Sequence, residues 1–296
     1  MHRLPHIMYL CMIASVALAI DASAYVRSGD EPALLRVRLA KGTPYRYGMS
    51  MTTSQDMTVA MNDISNESTS SMTMSMVVND ATIDRADITS TLSDVTTSVR
   101  VRGMDDLGVS RDTTMRLSQF DGVVMRFTID QFGRASKVST SLDGNASAFV
   151  SSMKVFERFS SYLPKEALPV GGTWVITTND TTAAPTGSGD VRTMMTMQYT
   201  YRGIRDTLGT RCWVIDASST GLTQAGDITA NGIELELEGS GQSSGRTFLD
   251  VANGMIVAGY GTVAMQTQMS LSGQQSMVVP VVTQIRYTLS RISERR

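Results

Sequence analysis

Few side chains in this sequence could carry out acid–base or nucleophilic chemistry, and most of them lie near its start. The chain of 296 residues has 2 His and 2 Cys. Three of these four residues, His2, His6 and Cys11, fall within the first eleven positions. Without that segment, Cys212 is the sole cysteine and no histidine is left. A Ser–His–Asp or Cys–His arrangement, a histidine-based zinc site and an internal disulfide are then excluded. We expect no catalytic residues, no metal and no cofactor.

Acidic residues offer one regular pattern. Glu234, Glu236 and Glu238 alternate with Leu235 and Leu237, which predicts carboxylates about 6.5–7 Å apart on one face of a strand. Such a row could bind a hard cation or serve a carboxylate-dependent hydrolase. The pattern is also typical of a solvated edge strand whose charges oppose aggregation, and we favour that interpretation.

Methionine is unusually frequent, with 21 residues in the chain. Its flexible, polarizable side chain suits surfaces that adapt to varied apolar ligands. Together with aromatic residues, methionines at regular spacing form a candidate apolar binding face: Met72, Met74, Met76, Met195, Met197, Tyr199, Phe149, Met153 and Phe156. Core packing without any ligand is the simpler interpretation. A third interpretation is that Met-x-Met pairs bind Cu(I), but histidine partners for such a site are lacking.

The candidate residues on methionine-rich and acidic segments would be positioned by β-strands. Apolar and polar residues alternate over Met72 to Val78, Met195 to Tyr201, Leu235 to Leu237 and Ile285 to Leu289. A period of two predicts half-buried antiparallel strands with one wet face. Turns are predicted at Asn79-Asp80, Asp143-Gly144, Asn179-Asp180, Asn231-Gly232 and Asn253-Gly254. The glycine-rich run from Gly239 to Gly245 lacks the lysine of a phosphate loop and predicts a strand or hairpin that can curve.

One segment has helical spacing instead. From Ala146 to Tyr162 the apolar residues recur mostly every third position, Asn145 could cap the start, and Pro164 would end the run. We expect a mid-chain helix that packs on the apolar face of the sheet.

This helix would separate two similar halves. Lys41-Gly42-Thr43-Pro44-Tyr45 and Val170-Gly171-Gly172-Thr173-Trp174 each precede a methionine-alternating strand and, later, an Asp…Gly turn. Features that recur in a fixed order indicate an internal duplication. The predicted organisation is a signal peptide (1–24), a linker (25–33), a first β repeat (34–141), a helix with a proline-containing connector (142–169) and a second β repeat (170–293). The predicted fold is mainly β, with curved antiparallel sheets or one half-barrel.

The N-terminus has the pattern of an export signal. Arg3 precedes an apolar run of fourteen residues, Ile7 to Ile20, and Ala22-Ser23-Ala24 forms a small-x-small cleavage site. The run is shorter than the about 20 residues of a membrane span. We therefore expect a mature chain that starts near Tyr25, has no transmembrane span, and resides in the periplasm or outside the cell.

The two strand-entry motifs resemble those of a family of bacterial exported proteins, often lipoproteins, that is defined as a domain of unknown function. The matching residues are Lys41-Gly42 with Tyr45 and Tyr47, and Val170-Gly171 with Trp174. The resemblance spans about Leu34 to Ile292 and implies an envelope protein, without implying an activity. The sequence differs from the lipoproteins of this family at Cys11, because lipid attachment requires a small residue before the cysteine and Leu10 occupies that position. At the level of fold alone, the chain is similar to lipoprotein-carrier half-barrels.

The leading hypothesis is a non-catalytic envelope protein that binds an apolar ligand, a lipid or acyl chain, or a partner segment on the methionine-lined face. A structural or assembly protein of the envelope whose sheet edges pair with partners is an alternative, and a carboxylate-dependent hydrolase is another. Basic and acidic residues nearly balance, 26 against 28, for a net charge of −2, so nucleic acid is not an expected partner.

Overall fold

A computed structural model describes residues 32–59, 62–103, 111–141, 163–183, 188–230, 233–272 and 277–292. The predicted signal peptide and the helix predicted from Ala146 to Tyr162 lie outside these residues, and so do three of the candidate site residues, Phe149, Met153 and Phe156. In the described part of the chain, no helix has the length and apolarity that crossing a membrane requires.

Twelve antiparallel strands make up most of the described chain. They are β1 (Pro44–Val59), β2 (Asn62–Ala81), β3 (Arg85–Arg102), β4 (Arg111–Arg116), β5 (Val124–Asp130), β6 (Ala135–Thr140), β7 (Thr173–Ala183), β8 (Ser188–Thr207), β9 (Thr210–Ala230), β10 (Ile233–Asp250), β11 (Ile256–Ser272) and β12 (Met277–Arg291). A short 3-10 turn, Ser118–Phe120, precedes β5. The longest strand has 21 residues, several times the usual length. The prediction of a mainly β, antiparallel protein is confirmed.

All the strands belong to one open sheet. Their order is β6-β5-β3-β2-β1-β12-β11-β10-β9-β8-β7, with β4 beside β3. Each strand pairs with the one before it along the chain, except that β5 pairs with β3 and not with β4, and that β6 and β7 lie at opposite edges of the sheet. In addition, β1 pairs with β12 from Tyr47↔Arg291 to Met57↔Val281. This pairing joins the two halves of the chain. The proposed repeats are therefore parts of a single sheet and not two separate sheets.

Burial follows the period of two, so the sheet has an inner and an outer face. On the inner face, Tyr47 of β1 and Trp213 of β9 belong to one large core cluster, and Met57 of β1 shares a second cluster with Val191 of β8. These strands are not neighbours in the sheet. The sheet therefore curls, and its apolar face is buried against itself.

Two short segments cross one end of the curled sheet. Val37 N donates to Gln131 O (2.9 Å) after β5, and Arg38 N donates to Asn253 O (2.8 Å) after β10. Leu163 N donates to Phe132 O at 2.7 Å. Arg36 is buried at this crossing, with its guanidinium 4.6 Å from the centre of the Phe132 ring. These bonds hold the β5–β6 and β10–β11 turns together.

Some turn predictions are wrong. Asn179-Asp180 lies inside β7, paired with Met194 and Thr193, and Asn79-Asp80 lies inside β2. The long partner strands satisfy the backbone at these positions and override the local turn preference. Asn253-Gly254 does form a turn, whereas Asp143-Gly144 and Asn231-Gly232 lie outside the described residues.

The glycine-rich run is confirmed as part of a strand. Gly239 to Gly245 belongs to β10, whose register against β9 shifts between Ser240 and Ser244. The irregularity bends the strand locally. Added Cβ atoms at Gly239 and Gly241 would lie 2.7 Å from Thr267 Oγ1 and Met265 Cγ, so neighbouring side chains close over these glycines.

Candidate functional site

The predicted methionines face the interior. Met74 and Met76 are buried in the large core cluster and Met72 packs half-buried against it. Met195 and Met197 belong to a middle cluster, completed by Leu222, Val263 and Met265. The structure thus places both sets on the inner face but in different clusters. Tyr199 packs against both clusters and connects them.

One row of paired positions crosses the inner face from β7 to β3. The row runs through Trp174, Tyr199, Ala217, Gly245, Gly261, Tyr287, Met51, Ser70 and Thr97. Its centre consists of three small residues, Ala217, Gly245 and Gly261, and we call these the small-residue floor. Since glycine and alanine have little or no side chain, the inner surface is lower here than at the tyrosines on either side.

The two tyrosines that border the floor approach each other. Burial is the main cause that raises the pKa of the Tyr287 phenol, and the neighbouring Tyr199 raises it further. Tyr199 lies four strands away in the sheet, so this proximity reflects the curl of the sheet. The Trp174 ring stacks on Tyr199, with centroids 5.2 Å apart. Aromatic rings therefore flank the floor.

Several side chains of this row are also more exposed to solvent than their neighbours on the inner face. Trp174, Tyr199, Ala217, Tyr287 and Met51 are all partly exposed. The neighbouring inner-face positions on both sides are mostly buried, among them Tyr201, Ile215, Leu289, Met49, Met197, Val263, Ile285 and Thr53. Apolar and aromatic surface thus stays partly uncovered in the middle of a mostly buried face.

Polar side chains form a second feature of the inner face, farther along the strands. Eight of these polar residues are buried, and we call them the polar belt: Thr53, Gln55, Asn66, Ser68, Thr193, Gln224, Thr267 and Thr283. Gln55 Nε2 donates to Thr283 Oγ1 at 3.5 Å. Asn66 Oδ1 is buried and has no hydrogen-bond partner in the part of the chain that the structure describes.

Beyond the polar belt the inner face is apolar again. The far cluster there consists of Met57, Val191, Ile228, Leu235, Leu237, Met269, Val279 and Val281. The belt was not predicted from the sequence, although Thr53 and Gln55 share the phase of Met49 and Met57 on β1. This shared phase is the signal in the sequence that could have predicted buried polar residues on β1.

Ionised groups occur at the end of the inner face near the large core cluster. Arg291 Nη1 donates to Asp250 Oδ2 at 3.1 Å, and Arg291 Nη2 donates to Thr210 Oγ1 at 3.1 Å. Cys212, on the outer side of β9, is fully buried and its Sγ donates to Thr210 O at 3.2 Å. Burial raises the pKa of this thiol to about 11, so it is uncharged at neutral pH.

The outer face carries paired charges. Asp216 accepts hydrogen bonds from Arg246 Nε (2.5 Å) and Arg202 Nε (2.8 Å). Burial alone would raise the pKa of Asp216, but these two arginines hold it below its usual value. Arg100 similarly pairs with Asp112 at 2.9 Å.

The acidic pattern is exposed, but not on an edge strand. Glu234, Glu236 and Glu238 are solvent-exposed while Leu235 and Leu237 are buried. Because β10 lies between β9 and β11, the expectation of an edge strand is wrong: the charges solvate the outer face of a central strand. Among the described residues, no group of three or more His, Cys, Asp or Glu could hold a metal ion.

Comparisons with known proteins give distant likenesses only. No protein-family model matches the sequence, and no curated protein matches it. A structure of lipid–protein interactions in lipovitellin is similar at 12% identity and a TM-score of 0.49, over 86% of this chain and 26% of that chain. The chain thus spans about a quarter of that protein. Salmonella typhi OmpF in complex with daunomycin is similar at 10% identity and a TM-score of 0.22, over 85% of this chain and 99% of that one. With TM-scores below 0.5, neither likeness identifies a shared function.

Proposed function

We propose that this protein is a non-catalytic, exported envelope protein that binds an apolar or amphipathic ligand, such as a lipid or acyl chain, on the inner face of its sheet. The observation that carries the proposal is the partly exposed row through the small-residue floor. A curled sheet buries its apolar face, yet Tyr199, Tyr287 and Met51 keep accessible surface there.

Covering this surface would be favourable. Each Å² of apolar area removed from water contributes about 25 cal/mol. Methionines such as Met72 and Met197 lie beside the row, and their flexible side chains adapt to different ligand shapes. Chemistry on the ligand is not part of the proposal, since the Cys212 thiol is buried and uncharged at neutral pH.

Filling the floor tests the proposal. Ala217→Leu places a larger apolar side chain between Tyr199 and Gly245 on the inner face. We expect this variant to bind a fluorescent C16 fatty-acid probe at least tenfold more weakly than the unmodified protein, measured by equilibrium titration.

Gly221→Leu is the matched control, because it lies on the same strand, is exposed, and an added Cβ meets no atom within 4 Å. It should bind the probe like the unmodified protein. Circular dichroism should show that both variants are folded. Equal probe binding by a folded Ala217→Leu variant, or no binding by the unmodified protein, would contradict the proposal.

A further inference from the structure

We infer that the ligand carries an uncharged polar group, a hydroxyl or an amide, which donates a hydrogen bond to Asn66 in the polar belt. The inference depends on the proposed function, since it concerns a ligand on the same inner face. It narrows that function from apolar ligands in general to neutral amphiphiles.

Asn66 is the residue that points to a donor. Its side chain is 6% exposed, and Oδ1 has no hydrogen-bond partner in the described part of the chain. Gln55, which faces Asn66 across the β1–β2 pair, instead donates to Thr283. A buried acceptor without a partner is unfavourable. A ligand donor at this position would remove that penalty.

The surroundings of Asn66 select against negative charge. On β1, β2, β8, β9, β11 and β12, the inner-face side chains that the structure describes in the polar belt are Thr, Ser, Gln and Asn, with apolar residues between them. On β7, the partly exposed Asp180 pairs with Thr193 and is in phase with the belt. The ion pair of Arg291 with Asp250 lies eight residues along β12 from Thr283, roughly 26 Å away at the rise of a strand. Among the described side chains of the belt there is no cation, so an anionic headgroup here would be buried without a counter-ion, which is strongly unfavourable.

The flanking clusters explain why an amphiphile fits. Met57 and Val281 lie on one side of the belt, and the middle cluster with Met195 and Met265 lies on the other. Asn66 is four residues along β2 from Ser70, a member of the row through the small-residue floor, about 13 Å at the rise of a strand. A long acyl chain bridges this distance, so one molecule could contact both Asn66 and the floor.

Monoolein and oleate test the inference, because they have the same acyl chain and differ in headgroup. Native mass spectrometry of the full chain at pH 8 should give at least tenfold tighter binding of monoolein, whose headgroup is uncharged, than of oleate. Asn66→Leu should weaken monoolein binding about fivefold, the effect of one hydrogen bond. Its thermal stability without ligand should not fall, because an unpaired buried acceptor is replaced by an apolar side chain.

Ser90→Ala is the control variant, because Ser90 Oγ is also buried without a partner in the described structure but pairs with Met76 and Met125 away from the belt. It should leave monoolein binding unchanged. Equal binding of oleate and monoolein, or an unaltered monoolein affinity in Asn66→Leu, would overturn the inference while leaving the proposed function intact. Binding of neither probe would contradict the proposed function itself.

Discussion

Cys212 shows how burial changes the ionisation of a single side chain. Its side chain is fully buried beside Val214 and Phe248, and burial raises the thiol pKa from 9.0 to about 11. A buried, uncharged thiol of this kind packs like a small apolar side chain.

The raised pKa predicts a defined pH dependence of stability. Below pH 9 the thiol is protonated in both the folded and the unfolded chain, and its contribution to stability is fully present. Between pH 9 and about 11 the unfolded thiol ionises first, so the free energy of unfolding falls. Urea unfolding at pH 7, 9 and 11 should therefore show a steeper loss in the unmodified protein than in Cys212→Ala. Other buried groups titrate in both proteins, so parallel curves would show that Cys212 is not the cause.

Residue types alone could predict only part of the inner face. Met74 and Met76 were expected to face inward because they alternate with Thr73 and Ser75, and they do. Polar residues of the alternating strands were expected on the wet face, yet Gln55 is buried on the inner face. Whether a polar residue in phase with apolar ones faces the interior depends on partners from distant strands, which local sequence does not specify.

At the scale of elements, the β5–β6 and β10–β11 turns have similar geometry. Asp130 Oδ1 accepts from Phe132 N at 2.9 Å, and Asp250 Oδ1 accepts from Ala252 N at 3.0 Å. Each turn contains a glycine with positive φ, Gly133 (82°) and Gly254 (74°). The similarity favours the internal duplication, which stays a prediction.

Packing of the crossing segment against the second turn can be measured at Gly254. Its φ of +74° disfavours any other residue, and an added Cβ would lie 2.2 Å from Arg36 O. Gly254→Ala should lower the free energy of unfolding by about 3 kcal/mol or more, since backbone strain and a clash combine.

Gly122→Ala separates these two causes. Gly122 has a φ of +81°, but an added Cβ meets no atom within 4 Å. Its alanine variant should lose only about 1–2 kcal/mol, the strain of a left-handed residue. Equal losses in the two variants, measured by urea unfolding, would show that the contact with Arg36 does not matter.

Elements were predictable where the alternation was long and unpredictable where short turn signals competed with it. The strands around Met74, Met197 and Ile285 follow from their period of two. Asn179-Asp180 has the composition of a turn, but eleven paired positions between β7 and β8 keep it extended. Pairing over such a length outweighs the preference of a dipeptide.

At the scale of the whole molecule, the pairing of β1 with β12 connects strands from opposite ends of the described chain. Met49 faces Leu289 in this pair, and both belong to the large core cluster together with Trp213 and Leu249 of the second half. No local pattern specifies a partner more than 200 residues away, so the sequence left open whether the halves form one sheet. Because the two halves form one sheet and share the large core cluster, they should unfold as one unit.

Leu289→Ala tests this cooperativity. Leu289 is 3% exposed, and truncating a buried leucine typically lowers the free energy of unfolding by about 2–5 kcal/mol. Trp174 and Trp213 report only on the second half, whereas far-ultraviolet circular dichroism reports on all strands. Both signals should shift together to lower urea concentrations, with a single transition. Thr288→Ala, the exposed neighbour on the same strand, should change stability by less than about 0.5 kcal/mol. Separate tryptophan and dichroism transitions would mean that the halves unfold independently, despite the strand pair that joins them.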